Sequence, residues 1–110
     1  MSSFPLEVSA TAADALARSQ PGKVQILDVR EPHELAICRV AGSTDIPLGQ
    51  LPQQVAQLSR ETHWLVLCHH GSRSMRATQF LRAQGLDAVT NIAGGIDGWA
   101  DQIDPTMARY

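Results

Sequence analysis

Cys68 opens the run Cys68-His69-His70-Gly71-Ser72-Arg73-Ser74, which gathers a nucleophile, two imidazoles, a glycine, two hydroxyls and a guanidinium in one short stretch. The thiolate is the reactive form of cysteine, and nearby positive charge or a helix N-terminus favours it. His69 and His70 supply such charge when protonated. Gly71 permits positive φ, so a tight loop can turn successive amides inward as a nest for negative charge. Ser72 and Ser74 add hydroxyl donors, and Arg73 can either close a ring around an anion or buttress the loop from outside. Donors aimed in advance at a developing anion act without reorganisation, and losing one typically costs ~3 kcal/mol in a transition state. The run suits a held thiolate, or something that the thiolate carries.

The flanking residues must position this loop. Trp64-Leu65-Val66-Leu67 is long enough for a buried strand and too short for a helix. From Arg73 onward, Met75, Ala77, Phe80 and Leu81 recur at helical spacing, and Gly85 is placed to end that helix near Gln84. The thiol is therefore predicted at the carboxyl end of a strand, facing the unpaired, partly positive first amides of a helix. Upstream, residues 6–8 read as a weak strand, and Ser9 caps a helix over 10–17 that Gln20-Pro21-Gly22 closes. Residues 24–29 give the strongest strand signal, and Pro32 stands near the first turn of a short helix over 33–38. Residues 44–46 form a brief strand, and Leu48, Leu51, Val55 and Leu58 follow helical spacing. Residues 88–92 form a last strand, 93–99 turn sharply into a short helix, and 104–110 read as a tail.

Strands that alternate with helices predict an α/β domain, with an open, mostly parallel sheet and helices on both faces. Ligands bind such sheets beyond the carboxyl ends of the strands. Three polar clusters fall there, at 28–31, 68–74 and 93–99, and are expected to converge.

The chain has 110 residues, the length of one ordinary domain, and its hydrophobic fraction of 44% suits a compact core. A net charge of −2 gives no general attraction to nucleic acid or to an anionic membrane. Two cysteines make no disulfide framework and are too few for a structural zinc site without help. No apolar run approaches the roughly 20 residues that span a bilayer. Met1-Ser2-Ser3-Phe4-Pro5 lacks the features of a signal peptide, so a reducing cytoplasm is the expectation.

With these residues in view, the chain resembles the single-domain rhodaneses, sulfurtransferases that carry sulfur as a cysteine persulfide. Three segments carry the resemblance: Leu27-Asp28-Val29-Arg30-Glu31-Pro32-His33-Glu34, the Cys68 run, and Gly94-Gly95-Ile96-Asp97-Gly98-Trp99. The resemblance implies a sheet of about five strands. It also implies that Cys68 takes the outer sulfur of a donor such as thiosulfate and passes it to cyanide or a thiol. The acceptor in a cell would be a thiol or a protein such as a thioredoxin-like one. No metal or organic cofactor is implied. One stretch departs from the family: where many members have Gly-His-Ile-Pro-Gly-Ala, this chain has Cys38-Arg39-Val40-Ala41-Gly42-Ser43. Ile37-Cys38-Arg39 is similar to the rhodanese modules attached to sulfur-carrier activating enzymes.

Three other readings compete. A cysteine phosphatase or arsenate reductase also sets cysteine and arginine around an anion, but its usual loop is one residue longer. The four residues between Cys68 and Arg73 make a tighter ring, better matched to one added sulfur. A relay module serving one protein partner is a second alternative. A metal on Cys68, His69 and His70 is a third, disfavoured because adjacent loop residues rarely converge on one ion. Among the remaining residues, Cys38 reads as structural on a buried helix. Asp28 and Arg30 read as a buried pair that pins the loops, and Glu31 and Glu34 as solvated helix-start charges. Trp99 is expected to pack under the Gly94-Gly95 turn or to line the entrance to the cysteine. His33 and His63 carry no motif, and Arg109 and Tyr110 are placed in the tail.

Overall fold

A computed structural model describes residues 3–110. Its strands are β1 (Glu7–Val8), β2 (Val24–Asp28), β3 (Thr44–Asp45), β4 (His63–Leu67) and β5 (Val89–Ile92). Its α-helices are α1 (Ala10–Ser19), α2 (Pro32–Leu35), α3 (Leu51–Gln54), α4 (Ser72–Ala83) and α5 (Gly95–Gln102). The strands form one sheet in the order β1-β5-β4-β2-β3, and every pairing is parallel.

The strands are rich in apolar residues because both sheet faces are covered. Alternate residues of β4 enter different cores. Trp64, Val66 and then Cys68 join Leu27, Val29 and Val89 beneath Ala77 and Leu81 of α4. Leu65 and Leu67 join Val24, Ile26 and Ile92 beneath Ala10 and Ala13 of α1 and Ile96 and Trp99 of α5. Leu27, Leu65, Leu67 and Leu81 are fully buried, each contributing roughly 1.5–3 kcal/mol of transfer free energy. Ser9 caps α1, its side chain accepting from the Ala12 amide at 3.1 Å.

The sheet order creates the place for a site. The chain leaves β2 toward β3 on one side, whereas it leaves β4 toward β5 on the other. The loops after β2 and β4 therefore part above adjacent strand ends, a switch point where open α/β sheets bind ligands. The register aligns these ends, since Asp28 pairs with Leu67 and the Val29 amide donates to the Leu67 carbonyl at 2.9 Å.

Several elements are shorter than the sequence predicts. The stretch 48–58 is a single α turn between two 3₁₀ turns, Leu48–Gln50 and Val55–Gln57. Gly49 weakens a helix there and Pro52 lacks an amide hydrogen, yet Leu51 and Leu58 still bury. The helix predicted over 33–38 ends at Leu35, so Cys38 is not on a buried helix: it is half-buried in the following turn, and Ile37 is exposed. Trp99 is buried with α1 in the core opposite Cys68, which removes it from the cysteine's entrance. No helix among the described residues is long and apolar enough to cross a membrane.

Candidate active site

The cysteine loop leaves β4 and is clamped at once by α5. The first amides of a helix have no internal partners. Here the Ile96 amide donates to the Cys68 carbonyl at 2.7 Å and the Asp97 amide to the His69 carbonyl at 3.1 Å. So close an approach requires glycine at the helix start. Gly95 has φ +58°, and a Cβ on it would overlap the Cys68 and His69 carbonyls. Gly95→Ala is expected to destabilise the fold by about 3 kcal/mol through left-handed strain and overpacking, read from its urea midpoint. An unchanged midpoint would show that α5 does not grip the loop.

Cys68 is only 1% exposed, yet its sulfur is not sealed among apolar atoms. Its Sγ accepts from the Gly71 amide at 3.1 Å and from the Ser74 hydroxyl at 3.2 Å. Gly71 reaches this position at φ +110° as the cap of α4, and fully buried Ser74 lies in that helix's first turn. The buried Asn91 side chain, anchored by Glu7 at 2.7 Å, also reaches the Gly71 carbonyl at 3.3 Å. Ser72 opens α4 and faces solvent. The His70 side chain is 66% exposed, and its Nε2 lies 3.9 Å from Asp97 Oδ2. His69 stacks on His70, with ring centroids 3.8 Å apart.

Arg73 forks onto Glu34, with nitrogen–oxygen distances of 2.7 and 2.8 Å. It is a buttress of the loop. Glu34 is accordingly not a solvated helix-start charge: it is 6% exposed, and its carboxylate also accepts from the Glu31 amide at 3.0 Å. Glu31 and Glu34 form a capping box, and their three-residue spacing was the one local signal that could have marked Glu34 as folded back on its helix. Arg73 holds the Glu34 carboxyl well below its ordinary value of 4.5, against burial, with help from the Glu31 amide and the Tyr110 hydroxyl. A depressed carboxyl stabilises the fold above its unfolded value, and that contribution is lost as pH falls through the folded one. Glu34→Gln is thus expected to cost about 2 kcal/mol at neutral pH, with the gap to wild type shrinking below about pH 4.5. Denaturation midpoints across pH test the sign, and a gap that widens in acid contradicts it.

Asp28 and Arg30 are both fully buried at the end of β2. Arg30 donates to both Asp28 oxygens, to the Cys38 carbonyl at 2.8 Å and to the Tyr110 hydroxyl at 3.0 Å. Burial opposes the Arg30 charge, but its bonds to Asp28 and Tyr110 outweigh it and hold the guanidinium protonated. Residues 104–110 have no regular secondary structure, but Tyr110 is no free tail: its hydroxyl donates to Glu34 at 2.7 Å. Burial pushes this phenol up to about 12, with Glu34 adding to the rise and Arg30 opposing it. The sequence reading missed this role for Tyr110, the sole tyrosine, because nothing local says where an irregular segment will land.

A family model described as the rhodanese-like domain matches residues 11–102. The chain belongs to this family. Within the rhodanese-like family it is 37% identical over 92 residues to the chloroplastic Rhodanese-like/PpiC domain-containing protein 12 of Arabidopsis thaliana, covering 80% of this chain but 31% of that protein. It is 34% identical over 85 residues to the thiosulfate sulfurtransferase GlpE of Tolumonas auensis, covering 77% of this chain and 80% of that one. Its fold matches the crystal structure of a rhodanese-related protein from Thermoplasma volcanium with a TM-score of 0.76 and 33% identity, covering 88% and 92% of the two chains. The chain thus spans only part of some relatives.

This rhodanese-like site has a His-Asp cluster, but it differs from the metal trio considered from the sequence. The ligand atoms of His69, His70 and Asp97, without Cys68, lie within 4.8 Å of one another. The two imidazoles stack face to face, so their lone pairs run alongside rather than converge, and Arg109 already holds Asp97 at 2.6 Å. His63 stands at the start of β4, at the opposite end of the strand from the cysteine, and His33 is exposed on α2.

Proposed function

We propose that the domain transfers sulfane sulfur through a persulfide on Cys68. The Cys68 thiolate attacks the outer sulfur of thiosulfate or a similar sulfur-containing anion. The donor's sulfur–sulfur bond breaks, its electron pair leaves with sulfite, and a new bond joins Sγ to the transferred sulfur. A thiolate acceptor, on a small thiol or a thioredoxin-like protein, then attacks that outer sulfur and Cys68 departs as a thiolate. Electrons balance without an added oxidant, and no metal or organic cofactor enters. A reducing compartment such as the cytoplasm suits the chemistry, because it keeps Cys68 free.

The observation that carries the reading is the pair of donors on Sγ, the Gly71 amide and the Ser74 hydroxyl. Both favour the anionic sulfur, at the start of the reaction and again as leaving group. The persulfide places its outer atom about 2 Å beyond the shielded Sγ. Arg73 argues against phosphatase chemistry, because both its terminal nitrogens are taken by Glu34 rather than offered to a tetrahedral oxyanion. Intact mass after incubation with thiosulfate tests the proposal: a gain of one sulfur supports it. Hydrolysis of an aryl phosphate with no gain of mass overturns it.

A further inference from the structure

The segment after α5 folds back onto the cysteine loop and is held from two directions. Arg109 donates to Asp97 and Asp101 of α5, each at 2.6 Å. Beyond it, the Tyr110 ring stacks on His69 with centroids 3.8 Å apart and planes 14° from parallel. His70 stacks on the same imidazole at the same separation, and two rings cannot share one face, so His69 is sandwiched. On the far side, the Tyr110 hydroxyl accepts from Arg30 and donates to Glu34, the carboxylate that grips Arg73. The void left beneath, lined in part by Cys38, His69, Ile96 and Tyr110, is about 10 Å³, too small for more than one water.

We infer that Tyr110 is a positioning residue for the transfer, fixing His69 by its ring and Arg73 through Glu34. The inference rests on the sulfurtransferase reading. His69 and Arg73 lie on either side of Gly71, whose φ of +110° turns the loop, and Tyr110 and Glu34 hold them from outside it. Tyr110 touches both His69, through its ring, and the carboxylate of Glu34, through its hydroxyl. The residue is 39% exposed overall, while its hydroxyl sits between buried Arg30 and Glu34, so Tyr110→Phe separates the contribution of the ring from that of the hydroxyl. The residues it steadies stand at the rim, where an anionic donor must be oriented. The departing thiolate depends instead on Gly71 and Ser74, the donors on its sulfur.

The test compares Tyr110→Ala and Tyr110→Phe in both half-reactions. Tyr110→Ala is expected to lower kcat/KM for thiosulfate about tenfold while that for cyanide changes by less than about twofold. Tyr110→Phe keeps the stack and is expected to restore the thiosulfate value to within about threefold of wild type. An unchanged thiosulfate value, or equal loss in both half-reactions alongside a lower urea midpoint, overturns the inference. The ring-proton shifts of His69 supply a readout free of activity. They move downfield in Tyr110→Ala and stay near wild type in Tyr110→Phe if the stack positions the ring, and the absence of any shift in Tyr110→Ala overturns the claim. If wild type takes up no sulfur at all, the transfer reading fails, and these shifts judge the positioning claim by themselves.

Discussion

Cys68→Ala is expected to reduce thiosulfate:cyanide turnover to background, a loss of about 10⁴-fold or more, on the scale seen when a covalent nucleophile is removed. The steady-state rate with each substrate varied in turn is the measurement. The neighbouring candidates are poor substitutes: Ser72 faces solvent, Cys38 is held in a separate turn beside Arg30, and Ser74 is buried with its hydroxyl committed to the sulfur. Alanine also leaves the Gly71 amide and Ser74 hydroxyl without their acceptor, which costs about 1–3 kcal/mol of stability. Cys68→Ser separates the two effects. It keeps an acceptor for these donors and so recovers part of the stability, yet an alcohol does not carry sulfane sulfur and stays inactive. Residual turnover above background in either variant would place the nucleophile elsewhere.

Arg30→Met is expected to be the most damaging change away from the nucleophile, at about 3–5 kcal/mol, the scale for breaking one side of a buried ion pair. Arg30 and Asp28 are wholly buried at 2.8 Å, so methionine leaves the Asp28 carboxylate without its counter-charge. The same change strips donors from the Cys38 carbonyl and the Tyr110 hydroxyl, loosening the turn after α2 and the segment after α5 together. Replacing both partners with apolar residues removes the stranded charge, so the double variant Asp28→Leu/Arg30→Met is expected to be more stable than Arg30→Met alone. Urea midpoints of the three proteins decide this. A double variant weaker than the single one would mean that Asp28 has partners able to hold its charge without Arg30.

The framework was legible because strands buried on both faces declare themselves by composition. Residues 24–29 are rich in branched apolar residues and 64–67 are an apolar run, and they became the adjacent strands whose ends carry Asp28 and Cys68. The loop was legible because its chemistry is contiguous: Gly71 and Ser74 lie three and six positions from the sulfur they serve. Glu34 and Tyr110 were not read, since their partners Arg73 and His69 lie 39 and 41 positions away and only the fold brings them together. A carboxylate beside a helix start is usually solvated, and that local rule gave way to a tertiary ion pair. The helix expected over 33–38 failed for a related reason. Its apolar residues suggested burial, but α2 ends at Leu35, Ile37 faces solvent and Cys38 is held through its carbonyl by Arg30.

The central claim is that a buried sulfur, held by the Gly71 amide and the Ser74 hydroxyl, carries one further sulfur atom. A crystal structure of the protein after exposure to thiosulfate tests it most directly. The expected result is new density about 2 Å from Cys68 Sγ, with the Gly71 amide and Ser74 hydroxyl still directed at the sulfur pair. An unmodified thiol at donor saturation, with intact thiosulfate bound elsewhere, would contradict the account.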